Sequence, residues 1–209
     1  MRGRAGGGVK IITCLDLEGV LVPEIWIAVA EKTRIAELRL TTRDLPDYDE
    51  LMRRRIKILR ENGIRLKDVQ NVIAGVRPLP GARVFLDSLR ALHQVIILSD
   101  TYYEFAGPLM EKLGFPTLFC NWLETGRDGF ISGYCLRQKD GKKRSVLALK
   151  DLNFHVHAAG DSYNDVTMLQ AAHRGVFFNP PAKIARQFPK LPVTKSYPAL
   201  LKALTARSR

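Results

Sequence analysis

Three apolar runs in this 209-residue chain each end in side chains that could do chemistry together. In "IITCLDLEGVLVPEIW", residues 11–26, the run stops at two carboxylates one residue apart, Asp16 and Glu18. In "VIILSDT" it stops at Ser99, Asp100 and Thr101, and in "HAAGDSYND" at Asp161, Asn164 and Asp165. Side chains at i and i+2 of an extended strand point the same way, so Asp16 and Glu18 can face one small volume. Like charges that close cost free energy unless a cation lies between them or one stays protonated. The pattern suits a magnesium site, which wants hard oxygen ligands; the alternative is a solvated acidic turn after a core strand.

Each residue type has a task in phosphoryl transfer. Carboxylates hold magnesium, which neutralises phosphate charge, and a carboxylate can itself attack phosphorus to form an aspartyl phosphate. A hydroxyl and a lysine bind the phosphoryl oxygens, and "QKDGKKRS", residues 138–145, offers Lys139, Lys142 and Lys143. A further carboxyl group protonates the leaving alcohol and later activates water.

For these groups to meet, the strands that carry them must lie side by side. Runs rich in β-branched or aromatic residues recur at Ile11 to Leu15, Val95 to Leu98, Thr117 to Cys120, His155 to Ala159 and Gly175 to Phe178. Helical patterns over Gly81 to Leu92, Glu104 to Leu113, Arg144 to Leu152 and Asn164 to Ala172 separate the later ones. Strands alternating with helices predict a doubly wound parallel sheet of the α/β class, whose ligands bind at the carboxyl ends of the strands. Residues 22–94 break the alternation with helical patterns at Pro23 to Lys32, Tyr48 to Glu61 and Leu66 to Ala74. A crossover needs one helix, so the surplus predicts a helical cap inserted after the first strand. "NWLETGRDGFISGYCLRQ", residues 121–138, reads as a hairpin around Gly126 to Gly129.

The order "DLEGV", "SDT", a lysine, "GDSYND" resembles the four motifs of the haloacid dehalogenase superfamily of aspartate-nucleophile phosphatases. The insert after the first motif resembles the phosphoserine phosphatase subgroup. The stretches "CLDLEGVLVPEIWIA", "TTRDLPDYDELM", "VIILSDTYYEF" and "AAGDSYNDVTML" are similar to its bacterial bifunctional type, which also transfers the phosphoryl group to homoserine. The likeness runs from about Lys10 to the final helix.

That resemblance implies a division into a core at residues 10–22 and 81–209 and a cap at 23–80, with 1–9 a disordered extension. It implies magnesium held by Asp16, the Glu18 backbone carbonyl and Asp161, with Asp165 orienting the metal's shell. Asp16 would be the nucleophile and Glu18 the general acid and base. Ser99, the backbone of Asp100 and a lysine would hold the phosphoryl group; Lys142 and Lys143 are adjacent, and the resemblance favours Lys142. Glu24 would meet the substrate's amino group, Arg55 its carboxylate, and Asn164 would also reach the substrate. Read alone, Glu24 is equally a first-turn helix acid, Arg55 one of three solvated arginines, and Ser99 a helix cap. Most relatives place Asp where Glu18 stands; the longer acid suggests that a second alcohol competes with water for the aspartyl phosphate.

The implied activity is magnesium-dependent hydrolysis of O-phospho-L-serine, with homoserine as a second acceptor. Other small phosphoesters, or phosphate or nucleic-acid binding on a retired core, are the alternatives. The formal charge of +12, from 33 Lys and Arg against 21 Asp and Glu, raises the last of these. The basic residues are scattered, though, and no nucleic-acid motif or aromatic platform accompanies them, so no nucleic-acid partner is expected. No apolar run is long enough to span a bilayer, and the basic, Gly-rich start lacks a signal peptide's apolar core, so the expected site is the cytoplasm and no membrane partner is expected. The resemblance implies a homodimer. Cys14, Cys120 and Cys135 sit in apolar stretches and read as reduced core thiols; Trp26 and Trp122 read as packing, and the four histidines show no ligand spacing.

Overall fold

Strand β1, Ile11–Leu15, alternates its side chains between two apolar layers, and that alternation organises the molecule. Ile12 and Cys14 pack into one cluster and Leu15 into the other. The computed structural model describes residues 10–41, 44–45 and 47–206. The expected N-terminal extension at 1–9 lies outside the described residues.

Seven described strands form one sheet in the order β4-β3-β2-β1-β5-β6-β7. The further strands are β2 (Gln94–Tyr102), β3 (Thr117–Thr125), β4 (Ile131–Cys135), β5 (His155–Gly160), β6 (Arg174–Phe178) and β7 (Val193–Thr194). β1 pairs in parallel with β2 on one side and β5 on the other, and the only antiparallel pairing among them is β3 with β4. The α/β class and the five apolar strands therefore hold; the sheet is mostly rather than wholly parallel, because β4 folds straight back from β3 through a turn at Gly126 to Phe130.

After β1 come α1 (Ile25–Thr33), a 3-10 turn at Ala36–Arg39, α2 (Tyr48–Glu61) and α3 (Leu66–Gly75), and then α4 (Ala82–Arg90) leads into β2. Asp47 caps α2, its side chain accepting from the Glu50 backbone at 3.0 Å. The remaining helices are α5 (Tyr103–Lys112), α6 (Gly141–Asp151), α7 (Val166–Ala171), α8 (Ala182–Gln187) and α9 (Tyr197–Thr205). Buried residues of α4, α5 and α9 join one apolar cluster, and those of α6, α7 and α8 the other. The first cluster continues into α1, α2 and α3 through Val29, Met52 and Ile73, so the helical segment shares the sheet's core.

The β3–β4 hairpin reaches across to that segment. Leu66 donates its backbone N–H to the Gly129 carbonyl at 3.0 Å, Arg60 pairs with Asp128 at 3.1 Å, and the Tyr134 hydroxyl donates to Asp49. At the opposite, amino-terminal edge of the sheet all four histidines gather. His155 stacks on His173 with ring centroids 4.2 Å apart, and His157 lies 5.2 Å from His155 and 5.6 Å from His93.

Candidate active site

The direction of connection reverses at β1, whose neighbours are β2 and β5, and a parallel sheet opens a crevice at such a point. The carboxyl ends of these three strands carry the acids. Asp16 extends the ladder by one residue, donating its N–H to Ala159 at 2.9 Å. The β2–β3 register shifts between Leu98 and Tyr102, so Ser99, Asp100 and Thr101 leave the regular ladder. Gly19, with φ +75°, lets the chain after β1 pass against the β5 end: a Cβ there would lie 2.4 Å from the Asp161 carboxylate.

Lys142, at the start of α6, is the electrostatic centre. Its ammonium lies 2.9 Å from Asp16 Oδ1, 2.7 Å from Asp165 Oδ1 and 3.7 Å from Asp100 Oδ2, while Lys143 turns outward toward Asp140. Burial works to lower the Lys142 pKa, and the charges of Asp16, Asp165 and Asp100 outweigh it, holding the ammonium above its ordinary value. The fully buried Asp165 also takes the N–H groups of Asp161 (2.9 Å) and Ser162 (3.1 Å) on its second oxygen. It thus fixes both the lysine and the turn that carries Asp161. Asp16 is tethered through Oδ1, which also accepts from the Leu17 backbone at 2.7 Å.

Asp16, Asp161 and Asp165 bring one carboxylate oxygen each to within 4.8 Å of one another. Burial first, then Asp165 and Asp161, push the Asp16 carboxyl up, against Lys142. Crowded carboxylates with one cation among them are a donor set that a hard divalent ion fits, and its charge would relieve the repulsion.

Glu18 faces elsewhere. Its Oε2 accepts the Ile25 N–H at the start of α1 at 2.8 Å, and its carboxyl shares a hydrogen bond with Glu24. Burial, then the charge of Glu24, push Glu18 up to about 8, so near neutrality the group holds a proton it can give away. Arg55 is only 6% exposed. Its guanidinium lies over the Trp26 ring at 4.4 Å and donates through Nη2 to the Leu40 carbonyl at 2.7 Å, leaving Nε buried with no partner. A cavity of about 550 Å³ joins the two groups of residues, lined by Asp16, Glu18, Glu24, Arg55, Ser99 and Lys142 among others.

The haloacid dehalogenase-like hydrolase family model matches residues 22–170. The chain belongs to this family. It is 57% identical over 199 residues to phosphoserine phosphatase ThrH of Pseudomonas aeruginosa, a span of 95% of this chain and 97% of that one. It is 56% identical over 191 residues to a phosphoserine phosphatase of Pseudomonas syringae pv. tomato, covering 91% and 81%. Among solved structures, phosphoserine phosphatase from T. onnurineus superimposes with a TM-score of 0.74 at 22% identity over 96% of both chains, a likeness of fold.

In this haloacid dehalogenase-like hydrolase, nine of the residues singled out from the sequence line the cavity: Asp16, Glu18, Glu24, Arg55, Ser99, Asp100, Lys142, Asp161 and Asn164; Asp165 lies fully buried behind them, against Lys142. They form two groups rather than one. The Asp16 carboxylate is held by Lys142, whereas the Glu18 carboxyl is held toward α1 by the Ile25 N–H. Glu24 sits at the N-cap of α1 without a side-chain capping bond, and Ser99 lies within β2, its Oγ accepting from the Thr101 N–H at 3.2 Å. Asn164 donates to Asp100 Oδ2 at 2.8 Å. The helix read from Asn164 begins as a 3-10 turn, Tyr163–Asp165, before α7.

Two expectations are corrected. Trp122 is 40% exposed on β3, because alternation turns it away from buried Leu123. Cys135 is not a core thiol: it lies half-exposed on the edge strand β4, donating to Glu124 at 3.3 Å, whereas Cys14 and Cys120 are buried. Trp26 does pack, against Phe105 at 5.6 Å, but it also carries the Arg55 guanidinium. Sequence reasoning missed Tyr48 and Tyr102, which line the same cavity with hydroxyls 2.7 Å apart. The available signal was the seven-residue spacing of Tyr48 and Arg55, two turns along one face of α2.

Proposed function

We infer that this enzyme hydrolyses O-phospho-L-serine to serine and phosphate through an aspartyl phosphate on Asp16, and passes the phosphoryl group to homoserine when that alcohol is present. The observation that carries the reading is the buried, unpartnered Nε of Arg55 in the cavity that also holds the Asp16–Lys142 pair. A buried guanidinium donor without a partner asks for an anion, and the carboxylate of an amino-acid substrate supplies one. The names of the two Pseudomonas relatives support the same substrate.

The Asp16 carboxylate attacks phosphorus, and Glu18 gives its proton to the departing serine oxygen. In the second half, Glu18 takes a proton from water or from the homoserine hydroxyl as that oxygen attacks phosphorus and the bond to Asp16 breaks. Ser99, the Asp100 backbone and Lys142 hold the phosphoryl oxygens. Arg55 takes the substrate carboxylate, Glu24 its ammonium, and Asn164 reaches it from the β5 end. Magnesium would be held by Asp16, Asp161 and the Glu18 carbonyl, with Asp165 aiming Asp161 and Lys142; when bound, it neutralises charge on the phosphoryl group. Residues 23–80 act as a cap over a core of 10–22 and 81–209, excluding water during the first step. The family resemblance further implies a homodimer in the cytoplasm.

The test is phosphate release from O-phospho-L-serine with magnesium and with EDTA, with phosphohomoserine quantified when homoserine is added. Magnesium-dependent release with phosphohomoserine is the expected result. Turnover of p-nitrophenyl phosphate without turnover of phosphoserine would overturn the substrate assignment.

A further inference from the structure

Helix α2 meets the β3–β4 hairpin through Asp49 and Arg60, and meets the end of β2 through a hydroxyl chain at the rim of the cavity. Tyr48, in the first turn of α2, lies 2.7 Å from the Tyr102 hydroxyl at the end of β2 and 3.4 Å from the backbone oxygen of Asp100. A carbonyl can only accept, so Tyr48 donates to Asp100 and takes the Tyr102 proton in the same chain. Burial raises both phenols above their ordinary value, which keeps both protons in place. The Asp100 carbonyl also accepts from the buried Asn121 side chain at 3.1 Å, so the sheet side of the contact is held independently.

The two rings are well fixed. Tyr102 packs edge-on against Phe105 at 5.6 Å, Phe105 packs likewise against Trp26, and Trp26 lies beneath Arg55. A closed circuit therefore runs from Tyr48 to Tyr102, Phe105, Trp26, Arg55 and back along α2. It joins the residue next to Ser99 to the guanidinium on the far wall of the cavity.

We propose that Tyr48 and Tyr102 form a latch that sets the distance between Arg55 and the phosphoryl end of the site, so that they act as positioning residues for amino-acid phosphoesters. The inference rests on the phosphoserine reading above. With the latch made, a substrate bearing a carboxylate spans the cavity from Arg55 to Asp16. Without it, the first turn of α2 keeps its Tyr134–Asp49 tie to the hairpin but loses its tie to β2, Arg55 registers less well with Asp16, and water enters beside the aspartyl phosphate. In either outcome of the second step, the bond from phosphorus to Asp16 breaks, a bond to water or homoserine oxygen forms, and the proton goes to Glu18. In that second step the latch biases which oxygen arrives.

The experiment compares the protein with Tyr48→Phe, Tyr102→Phe and the double variant, after melting curves establish that each is folded. The expected result is a KM for O-phospho-L-serine raised by about threefold to tenfold, the span of one hydrogen bond. kcat and the KM for p-nitrophenyl phosphate change by less than about twofold, because a substrate without a carboxylate does not use Arg55. The double variant is expected to match the worse single variant, and the share of phosphohomoserine to fall. Additive single effects, or equal changes with both substrates, would overturn the latch. A parent enzyme inactive on phosphoserine would instead overturn the substrate reading. The latch would then be judged by hydrogen exchange of residues 48–59, which must quicken in Tyr48→Phe; unchanged exchange refutes it.

Discussion

The two ends of the cavity are built differently. At the proposed phosphoryl end, Lys142 touches Asp16 and Asp165, and Asp165 is bonded on both oxygens. At the end proposed to take the amino acid, Arg55 is held by a ring face, a sulfur and one carbonyl, and keeps a buried nitrogen without a partner. The first end rests on strand ends from the middle of a sheet, while the second rests on helices α1 and α2 and the loop at Leu40. Chemistry common to phosphoesters needs a charge array that does not move, and recognition of one substrate needs an incomplete set that the substrate completes.

Four substitutions probe that difference. Asp16→Asn is expected to lower turnover of phosphoserine and p-nitrophenyl phosphate alike, by about ten-thousandfold or more, measured as phosphate release. Equal loss with both substrates marks the phosphoryl end as indifferent to the rest of the molecule. Lys142→Ala leaves Asp16 and Asp165 buried without their cation. Urea unfolding should show a loss of about 3–5 kcal/mol, recovered in part by added magnesium, which binds the same carboxylates in the folded state. An unchanged midpoint would mean that the salt-bridged array contributes nothing to the fold.

Arg55→Ala works at the other end. It is expected to raise the KM for O-phospho-L-serine about tenfold to hundredfold, and that for p-nitrophenyl phosphate by less than about threefold. Parallel rises would erase the distinction between the two ends. The smallest effect belongs to Glu18→Asp. A shorter acid cannot reach both the Ile25 N–H and Glu24, so its position in the cavity changes; the ratio of phosphohomoserine to phosphate should fall by about threefold while total turnover persists. A product assay with homoserine present reads it directly.

The acids at the strand ends were legible because an apolar run that stops at a carboxylate has a physical meaning, as at Leu15 and Asp16 or at Gly160 and Asp161. Neighbouring lysines were not separable by spacing. Rotation about α6 separates them, set by its start at Gly141 after the left-handed Asp140, and only coordinates show that Lys142 faces inward. Arg55 looks like its neighbours Arg53 and Arg54 in sequence, and its burial depends on Trp26, 29 positions earlier. The Tyr48–Tyr102 bond spans 54 positions and leaves no local pattern. β7 and α8 escaped notice because a two-residue strand and a six-residue helix are too short to show a period.

The histidine edge, far from any acid at the strand ends, makes this fold sensitive to mild acid. His157 is 1% exposed and donates through Nδ1 to the Leu204 carbonyl at 2.6 Å, so a second proton would go on Nε2, which is buried with no partner. Burial first, and then Arg174, His155 and His93, depress its pKa to about 4, against the favourable Leu204 carbonyl. The unfolded chain therefore binds a proton, from about pH 6.5 downward, that the folded chain refuses until about pH 4. Stability from this group is complete above that window and drains away within it, by up to about 1.4 kcal/mol per pH unit. His157→Gln, which keeps a donor for Leu204, should flatten that limb of the urea-unfolding profile. A protein assayed for its acids thus carries, on its other face, a clock that starts when the medium turns sour.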